Sequence, residues 1–310
     1  MGEVHRLLTE QGKEQALRGD LNRSVVEAAS SYLADEMAGL SIVYSGWCHA
    51  ALPHKRLADD AIWALQSEHC TLLVEPGHRI TENGKPLAVG VPYGSRARLI
   101  LIYLQTEALR INSREVELGR SLRDFLRRMD IPYGGKSLRE VREQADRLAR
   151  CRLTFHLNSG GKAGLLNQNL FDEAMFVSDE TDQDSLFVEH AKLSESYFNS
   201  LKRHPVPIEE AAIRSINNNS QAIDAYLWLA YRLHSLPRSV VVSWKALHTQ
   251  FGGGYNRLDD FRRRFSDSLA LALAVYPCAK IEIEARGVTL FPSKPPVASK
   301  STSPRCLTER

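Results

Sequence analysis

A run of arginines in the last third of the chain is the feature best suited to chemistry with a polyanion. The segment Tyr255–Arg264 reads Tyr-Asn-Arg-Leu-Asp-Asp-Phe-Arg-Arg-Arg. On a helix with Phe261 and Phe265 facing inward, Arg262 and Arg263 project away from the core. In a DNA groove such guanidinium groups can contact guanine edges or phosphates, at about 1–3 kcal/mol per good bidentate base contact. Three nearby aspartates keep a second interpretation open, that of a solvated charged face.

Other motifs that could carry chemistry are incomplete. Gly134–Ser137 resembles the end of a Walker A phosphate loop, but Asp130 stands where the full pattern needs a glycine, and a predicted helix precedes it. A cysteine- and histidine-rich stretch lacks the close cysteine spacing of structural zinc sites. Its members are Cys48, His49, His54, His69, Cys70 and His78. The sequence has no histidine-apolar-histidine pair of the kind that binds metal in nickases. It also gives no positive evidence for a catalytic triad or for paired catalytic carboxylates. We therefore expect no enzyme activity, metal or cofactor.

The elements that would position the arginines lie between residues 204 and 291. In order, the patterns predict helices over Ile208–Ile216 and Gln221–His234, a strand over Val240–Val242, a short helix ending at Phe251, a helix over Leu258–Val275 and a hairpin over 281–291. Ser243 is expected to cap the short helix. The inward stripe of the last helix comprises Leu258, Phe261, Phe265, Leu269 and Leu273. This order is that of a winged helix, with Lys245, His248, Thr249 and Gln250 on the short helix supporting DNA contact.

The same order of elements is predicted earlier in the chain. It begins with a helix over Arg96–Leu109 and a strand over Arg114–Leu118. Two helices follow: the first has Ser121 as its cap and holds Leu122, Phe125, Leu126 and Met129, and the second has the stripe Leu138, Val141, Ala145 and Leu148. A hairpin then begins at Leu153, Phe155 and Leu157, with further strand-like sequence around Leu186–Lys192. Ser137 to Glu140 form a predicted capping box. Arg139, Arg142 and Arg150 lie on the outer face of that helix, and the acidic stretch Ser178–Ser185 is predicted to be an exposed loop.

Charge alternates along the chain although its net value is only +3. Residues 92–152 carry 14 Lys and Arg against 8 Asp and Glu, and residues 201–291 carry 12 against 8. Residues 153–200, with 2 against 8, separate these two basic blocks. A basic block suits a polyanion, although a solvated surface is the commoner meaning of any single one.

The predicted fold class is α+β, mainly α, with two tandem winged-helix domains and an N-terminal helical extension. The predicted domains are the extension over 1–91, a first winged helix over 92–203, a second over 204–291, and a disordered basic tail over 292–310. Five cysteines without a repeated spacing are not the pattern of a disulfide framework. With no signal-peptide pattern and no apolar run long enough for a membrane span, we expect a bacterial cytoplasmic protein without membrane contact.

Several longer strings resemble the plasmid-encoded RepA replication initiators. They are Pro92–Glu107, Arg114–Gly119, His204–Pro207, Trp228–His234 and Ser268–Pro277, and the resemblance covers roughly Pro92 to Val297. More distantly, Tyr255–Phe265 is similar to the recognition-helix segment of the wider iteron-binding initiators, which have paired winged helices. Residues 1–91 lie outside the resemblance.

The resemblance implies binding to direct repeats (iterons) at a plasmid origin, opening of the duplex and recruitment of host replication proteins, an initiator or a helicase. It also implies a monomer–dimer equilibrium, with the first winged helix at the dimer interface and the dimer repressing its own promoter. The residues expected near base edges are Asn256, Arg257, Arg262 and Arg263; those expected on phosphates are Lys245, Tyr255 and Arg264. Arg139 and Arg142 would add contacts from the first domain.

Two other functional classes remain open from the sequence. A winged-helix transcriptional repressor without initiator activity would carry the same helices and arginines. A DNA-processing enzyme such as a nuclease or primase is the third alternative, and it would need metal-dependent turnover on DNA. Replication of a minimal plasmid from its origin discriminates between the initiator and the repressor.

Overall fold

The computed structural model of the protein describes residues 2–35, 39–66, 70–117, 127, 131, 134–159, 162–179 and 182–297. Its helices, in chain order, are α1 (Glu3–Arg18), α2 (Arg23–Ala34), α3 (Gly46–His49), α4 (Gly94–Arg110), α5 (Gly135–Arg150), α6 (Glu195–Arg203), α7 (Glu210–Ser215), α8 (Ser220–Arg232), α9 (Trp244–Phe251) and α10 (Leu258–Ala274). No helix among these residues is both long and apolar enough to cross a membrane.

Strands are present in both halves of the chain. They are β1 (Leu40–Tyr44), β2 (Trp63–Gln66), β3 (Cys70–Glu75), β4 (Gly77–Ile80), β5 (Pro86–Gly90), β6 (Glu115–Glu117), β7 (Arg152–Ser159), β8 (Lys162–Asn169), β9 (Phe171–Asp179), β10 (Asp182–Leu193), β11 (Pro205–Glu209), β12 (Val240–Ser243), β13 (Ile281–Glu284) and β14 (Gly287–Leu290). The protein therefore has a mixed α and β fold, in agreement with the sequence prediction.

The chain divides into two units that do not follow simple sequence order. The terminal unit comprises Met1–Ser41 and Val206–Arg310, and the central unit comprises Ile42–Pro205. The N-terminal extension predicted over residues 1–91 is thus divided at residue 41 between the two units. The predicted boundary between residues 203 and 204 lies close to the observed one at Pro205.

Long-range contacts explain this division of the N-terminal region. In the terminal unit, α2 packs against α7 and α10, and Nε2 of the buried His5 lies 2.8 Å from the carbonyl oxygen of Ala274 at the end of α10. In the central unit, β3 pairs with β7 along its whole length, from Cys70 opposite Leu157 to Glu75 opposite Arg152. Residues before and after 41 therefore bury their apolar surface against different parts of the chain.

The central unit is built around an antiparallel sheet with strand order β2-β3-β7-β8. Cys70, Leu72 and Val74 alternate inward along β3, as expected for a strand with one buried face. A second sheet has the order β6-β10-β9, and β4 and β5 form a separate hairpin. Helix α4 buries every residue from Ala97 to Gln105, so it lies in the core of the unit.

Most elements predicted for the central unit are confirmed. The helix predicted over Arg96–Leu109 is α4, the strand over Arg114–Leu118 is β6, the helix carrying Leu138 to Leu148 is α5, and the strand that begins at Leu153 lies in β7, which pairs with β8. The strand-like sequence at Leu186–Lys192 lies in β10, which pairs with β6 and β9 and not with β7. The hairpin extends a larger sheet because β7 also pairs with β3. The predicted helix from Leu122 to Met129, with its cap Ser121, lies outside the described residues apart from the isolated position 127.

Two local predictions for the central unit are wrong. The capping box at Ser137 does not form, because α5 already begins at Gly135, with Gly134 as N-cap and no side chain capping it. The acidic stretch Ser178–Ser185 is not an exposed loop over its described residues, since β9 runs to Asp179 and β10 begins at Asp182. Antiparallel pairing between β9 and β10 supplies backbone hydrogen bonds that the local acidic composition does not reveal.

The terminal unit contains the predicted succession of helices and strands. It runs α7, α8, β12, α9, α10 and the hairpin β13–β14, with strand order β12-β14-β13 in the sheet. The cap at Ser243 is confirmed, because its Oγ accepts a hydrogen bond of 3.2 Å from the backbone N–H of Ala246. The N-terminal helices α1 and α2 are added to this core.

Aromatic side chains hold α9 and α10 together. The Phe251 and Phe265 rings are stacked with centroids 5.0 Å apart, and Phe261 stacks on Phe265 at the same distance. Phe261 and Phe265 are fully buried, as predicted, but Leu258 is 41% exposed. The inward assignment of Leu258 is therefore wrong: as the first residue of α10 it precedes the turns that pack on the core.

Candidate nucleic-acid interface

The basic segment singled out in the sequence forms the beginning of α10 and the turn before it. Asn256 and Arg257 are exposed, and Arg257 is the N-cap residue of α10 in an extended conformation. Arg263 and Arg264, one turn into the helix, are exposed as well. These four side chains therefore share one accessible helix start, a site where nucleic-acid-binding helices commonly present side chains to a groove.

Acidic residues modify the charge of this helix start. Asp259 and Asp260 lie in the first turn of α10, and the Asp260 carboxylate is 3.6 Å from the Arg263 guanidinium. Both side chains of this pair are largely exposed, 69% for Arg263 and 55% for Asp260. An exposed ion pair contributes at most about 1 kcal/mol, so Arg263 can exchange this partner for another anion at little cost.

Arg262 is placed differently from its neighbours. Its Cζ atom lies 5.3 Å from the centre of the Trp244 ring, a cation–π distance. The Trp244 indole N–H in turn donates a 2.9 Å hydrogen bond to the carbonyl of Glu284 in β13. Arg262 thus lies against Trp244 rather than projecting freely, and the tryptophan joins α9, α10 and the hairpin.

The sequence reasoning did not identify Trp244 as part of the site. The available signal was a tryptophan directly after the confirmed helix cap Ser243. Because Trp244 is buried and its indole is fixed by a hydrogen bond, it limits the positions that the Arg262 guanidinium can adopt. A side chain held in this way loses less conformational entropy when it binds a ligand.

Tyr255 closes the turn between α9 and α10. Its hydroxyl donates a 3.3 Å hydrogen bond to Oε1 of Gln221 on α8, and its ring packs edge-on against Phe261. Gln221 Oε1 also accepts a 3.1 Å hydrogen bond from the Ser268 hydroxyl on α10. Gln221, which is buried, therefore links α8, the turn and α10, and this second positioning residue was also missed from the sequence.

The remaining predicted contacts lie on two separate elements. Lys245 is exposed in the first turn of α9, next to Trp244. Arg139 is exposed on α5 of the central unit, and Arg142, one turn further along α5, is half-buried and lines a cleft there. The terminal unit thus brings Lys245 and the 255–264 segment to adjacent helices, while Arg139 and Arg142 belong to the other unit.

The cysteine- and histidine-rich stretch is dispersed over several elements. Cys48 is buried in α3 and Cys70 is buried in β3, where burial raises the pKa of the Cys70 thiol to about 11. In the part of the chain that the structure describes, no three His, Cys, Asp or Glu side chains are grouped so that they could hold a metal ion. His69 falls outside the described residues.

Residues 91–246 match the sequence model of the family described as plasmid encoded RepA protein. This match covers half of the chain and ends within α9, before α10 and the hairpin β13–β14. The resemblance found from the sequence is therefore confirmed over residues 91–246. A search of curated proteins finds no significant match.

Two solved structures of one protein, RctB, align with this chain. A crystal structure of domains 2 and 3 of RctB, from selenomethionine derivatives, aligns with a TM-score of 0.53 and 13% identity, over 82% of this chain and 99% of that one. Another crystal structure of RctB domains 2–3 gives a TM-score of 0.46 at 13% identity, over 78% and 93% of the two chains. At this identity, the first alignment indicates a similar fold and carries no residue-level comparison.

Proposed function

The chain belongs to the family of plasmid-encoded RepA replication initiators, and we propose that it binds direct repeats at a plasmid origin, promotes local opening of the duplex and recruits host replication proteins. The observation that carries this proposal is the exposed, arginine-rich start of α10, with Arg262 held against Trp244 beside the hairpin β13–β14.

Each unit is proposed to act as a winged helix. In the terminal unit, α8, β12, α9, α10 and the hairpin β13–β14 have the order of that fold, which supports the assignment of α10 as recognition helix. In the central unit, α4, β6 and α5 have the corresponding order, and β6 pairs with β10, which also pairs with β9, as β12 pairs with β14, which also pairs with β13. The helix expected between β6 and α5 lies outside the described residues apart from position 127.

In the proposed complex, the start of α10 enters the major groove. Asn256, Arg257, Arg262 and Arg263 are assigned to base edges, where a bidentate arginine–guanine pair contributes about 1–3 kcal/mol of discrimination. Lys245 and Arg264 are assigned to phosphates, which fix register without reading sequence. Tyr255 is also assigned to a phosphate, and this contact requires its hydroxyl to exchange the hydrogen bond to Gln221 for one to a phosphate oxygen.

Duplex opening is proposed to draw on binding free energy alone. Bending a DNA site of about 20–30 base pairs costs on the order of 1–6 kcal/mol, which several base and phosphate contacts can supply. We propose that the protein has no catalytic activity and uses no cofactor for this step. The central unit is proposed to add phosphate contacts through Arg139 and Arg142 in the monomer, or to form the interface of a homodimer that represses its own promoter.

The proposal is tested by binding of the purified protein to a labelled fragment of its plasmid origin while salt is titrated. We expect Arg262→Ala/Arg263→Ala to abolish the preference for repeats over unrelated duplex. The matched control is Arg6→Ala/Arg23→Ala, which removes two exposed, acid-paired arginines from α1 and α2 of the same unit. Equal preference for repeats in the two double variants would overturn the assignment of α10.

A transcriptional repressor without initiator activity is the alternative, because the same helices and arginines would serve it. The match to the RepA family over residues 91–246 favours the initiator. The two are separated by supplying the protein in trans to a minimal plasmid that carries only the origin and a marker. A repressor would bind the repeats but would not maintain the plasmid.

A further inference from the structure

The hairpin β4–β5 of the central unit has no part in the function proposed above. Its residues from His78 to Leu87 are exposed on both strands, apart from Thr81, which is half-buried in the turn. Neither strand of the hairpin pairs with a further strand in the part of the chain that the structure describes. The hairpin is therefore an arm whose outer part is accessible to a partner.

The base of the arm is fixed to α5. Arg150 donates a 3.2 Å hydrogen bond to the carbonyl of His78 in β4. Arg147 donates one of 3.1 Å to the carbonyl of Val91, the residue that follows β5. A Cβ atom on Gly77, at the start of β4, would lie 2.2 Å from the carbonyl oxygen of Arg150, so glycine is required for this close approach. Both strands of the arm are thus held to one helix.

Hydrogen bonds also hold the tip of the arm in one conformation. The backbone N–H of Thr81 donates a 2.9 Å hydrogen bond to the carbonyl of Lys85, and the N–H of Gly84 donates one of 2.8 Å to the carbonyl of Thr81. The Thr81 hydroxyl donates a further bond of 3.0 Å to the Lys85 carbonyl. Gly84 has φ +72°, which glycine adopts without strain. An arm fixed at its base and its tip loses little conformational entropy when it binds.

The outer part of the arm carries a pair of apolar side chains. Ile80 ends β4 and Pro86 begins β5, and the two residues are directly opposite each other in the register. Their side chains therefore share one face of the hairpin, with about 5 Å between the Cβ atoms. Both residues are exposed, and Ile80, at 70%, is more exposed than any other large apolar side chain that the structure describes.

Basic residues flank this apolar pair. Arg79 directly precedes Ile80, and Lys85 directly precedes Pro86. Glu82 is the only acidic residue between the two ends of the hairpin, so the arm carries a net positive charge. A partner that complements it has a negative surface and an apolar interior. The minor groove of duplex DNA has both, because its negative potential attracts Arg and Lys and its floor is formed by stacked bases.

We propose that the arm enters the minor groove of origin DNA and that Ile80 and Pro86 wedge between two base pairs, which unstacks one step and kinks the duplex. Isoleucine and proline are among the side chains that minor-groove proteins insert in this way. Ile80 lies three residues beyond Gly77, which is about 10 Å along a strand, and the groove is roughly 7.5 Å deep. The pair can therefore reach the bases.

This inference rests on the proposed function, because it takes origin DNA as the partner of the arm. It adds a place in the chain where duplex opening begins, and its contact is with bases and not with phosphates. The two claims are separated by different readouts: preference for repeats over an unrelated duplex tests the proposed function, and distortion of the bound duplex tests the arm.

The wedge is tested with the full-length protein on origin fragments that carry 2-aminopurine at successive positions, or a fluorophore pair at the two ends. Unstacking raises 2-aminopurine fluorescence, and a kink of about 20–90° shortens the distance between the ends. We expect both signals with saturating wild-type protein. Ile80→Ala/Pro86→Ala should lose the fluorescence rise and most of the kink. Its affinity should stay within about tenfold of the wild type, because the lost contact is offset by the avoided cost of unstacking.

The salt dependence of binding separates an apolar wedge from a phosphate contact. Ile80→Ala/Pro86→Ala removes no charge, so the slope of log affinity against log salt concentration should equal that of the wild type. Ile80→Leu keeps an apolar side chain of the same size and should unstack and kink the duplex as the wild type does. The matched control is Ile62→Ala/Ile111→Ala, which removes two exposed isoleucines of the same unit outside the arm and should also behave as the wild type.

Unstacking and kinking by Ile80→Ala/Pro86→Ala at the wild-type level would overturn the proposal. If this variant also lost plasmid maintenance, the arm would serve a protein partner instead. Repeat-specific binding by the wild type without any unstacked step would overturn the arm and leave the proposed function standing. Equal binding to repeats and unrelated duplex, with unstacking that depends on Ile80 and Pro86, would support the arm and contradict the proposed function.

Discussion

Replacing Gly90 with alanine tests how tightly the central unit is packed around Arg147. Gly90 has φ +81°, and its new Cβ would lie 2.1 Å from Nη1 of Arg147 and 2.9 Å from Oδ1 of Asp59. Because 2.1 Å is too short for any non-bonded contact, the guanidinium must move and give up its hydrogen bond to the carbonyl of Val91. A buried charged donor is then left without that acceptor.

Gly84 in the turn of the same hairpin is the matched control for this change. It has φ +72°, and an added Cβ would meet nothing within 4 Å. An alanine in the left-handed region costs about 1–2 kcal/mol at either position. The lost hydrogen bond of Arg147 adds about 1.5–3 kcal/mol at Gly90 alone. We therefore expect Gly90→Ala to destabilise the central unit by about 1.5–3 kcal/mol more than Gly84→Ala.

Hydrogen–deuterium exchange read by mass spectrometry measures this difference, because peptides from α5 and β3 report the opening free energy of the central unit alone. Peptides from α8 and α10 in the terminal unit provide the internal reference and should be unchanged. Equal destabilisation by Gly90→Ala and Gly84→Ala would refute the reasoning, because it would mean that the backbone conformation and not Arg147 limits this position.

Three further predictions concern the terminal unit. Gln221→Leu should lower the free energy of unfolding in urea by about 1–3 kcal/mol, because it leaves the Tyr255 hydroxyl without its hydrogen-bond acceptor. The same variant should bind duplex DNA more weakly, and wild-type binding would contradict a positioning role for Gln221. Phe261→Ala removes a fully buried ring and should lower the free energy of unfolding, measured by thermal denaturation, by about 3–5 kcal/mol. Leu258→Ala, at an exposed position, should change it by no more than about 0.5 kcal/mol. Equal losses in the two variants would contradict the packing of α10 described above. Burial lowers the pKa of His5, so the folded protein binds fewer protons than the unfolded chain, and the free energy of unfolding should fall as the pH drops below about 6.5. His5→Gln should make the free energy of unfolding less dependent on pH between about pH 5 and 7. An unchanged pH dependence in this variant would exclude His5 as its origin.

Local patterns predicted the elements of the terminal unit well. The spacing of Phe261, Phe265 and Leu269 gave the buried face of α10, and Ser243 marked the start of α9. Such signals depend on residues a few positions apart, which share one face of a helix or one cap. The exposure of Leu258 shows where such local signals fail, because the first residue of a periodic apolar stripe need not reach the core.

Features set by distant segments could not be predicted from the sequence. The pairing of β3 with β7 joins residues 70–75 to residues 152–157, and the packing of α2 on α10 joins the first helices to the last. Neither contact is visible in the local sequence pattern, which predicts residues 1–91 as one extension. The same holds for the hydrogen bonds of Arg147, which join α5 to Val91 and to Asp59 in the loop before β2.

In the candidate site, the local features were predictable from the sequence and the long-range contacts were not. The arginines of α10 were found because consecutive basic residues follow an apolar stripe. Their support by Trp244 and Gln221 was missed, because it depends on hydrogen bonds to Glu284 and Tyr255 across the fold. Which of these arginines reads a base edge remains a prediction.

Replication of a minimal plasmid tests the initiator proposal most directly. A plasmid that carries only the origin and a selectable marker is introduced into cells that supply the protein in trans, and its copy number is measured. We predict stable maintenance with the wild-type protein and with Arg6→Ala/Arg23→Ala, and loss of the plasmid with Arg262→Ala/Arg263→Ala. Repeat-specific binding by the wild-type protein without any maintenance of the plasmid would contradict the initiator function.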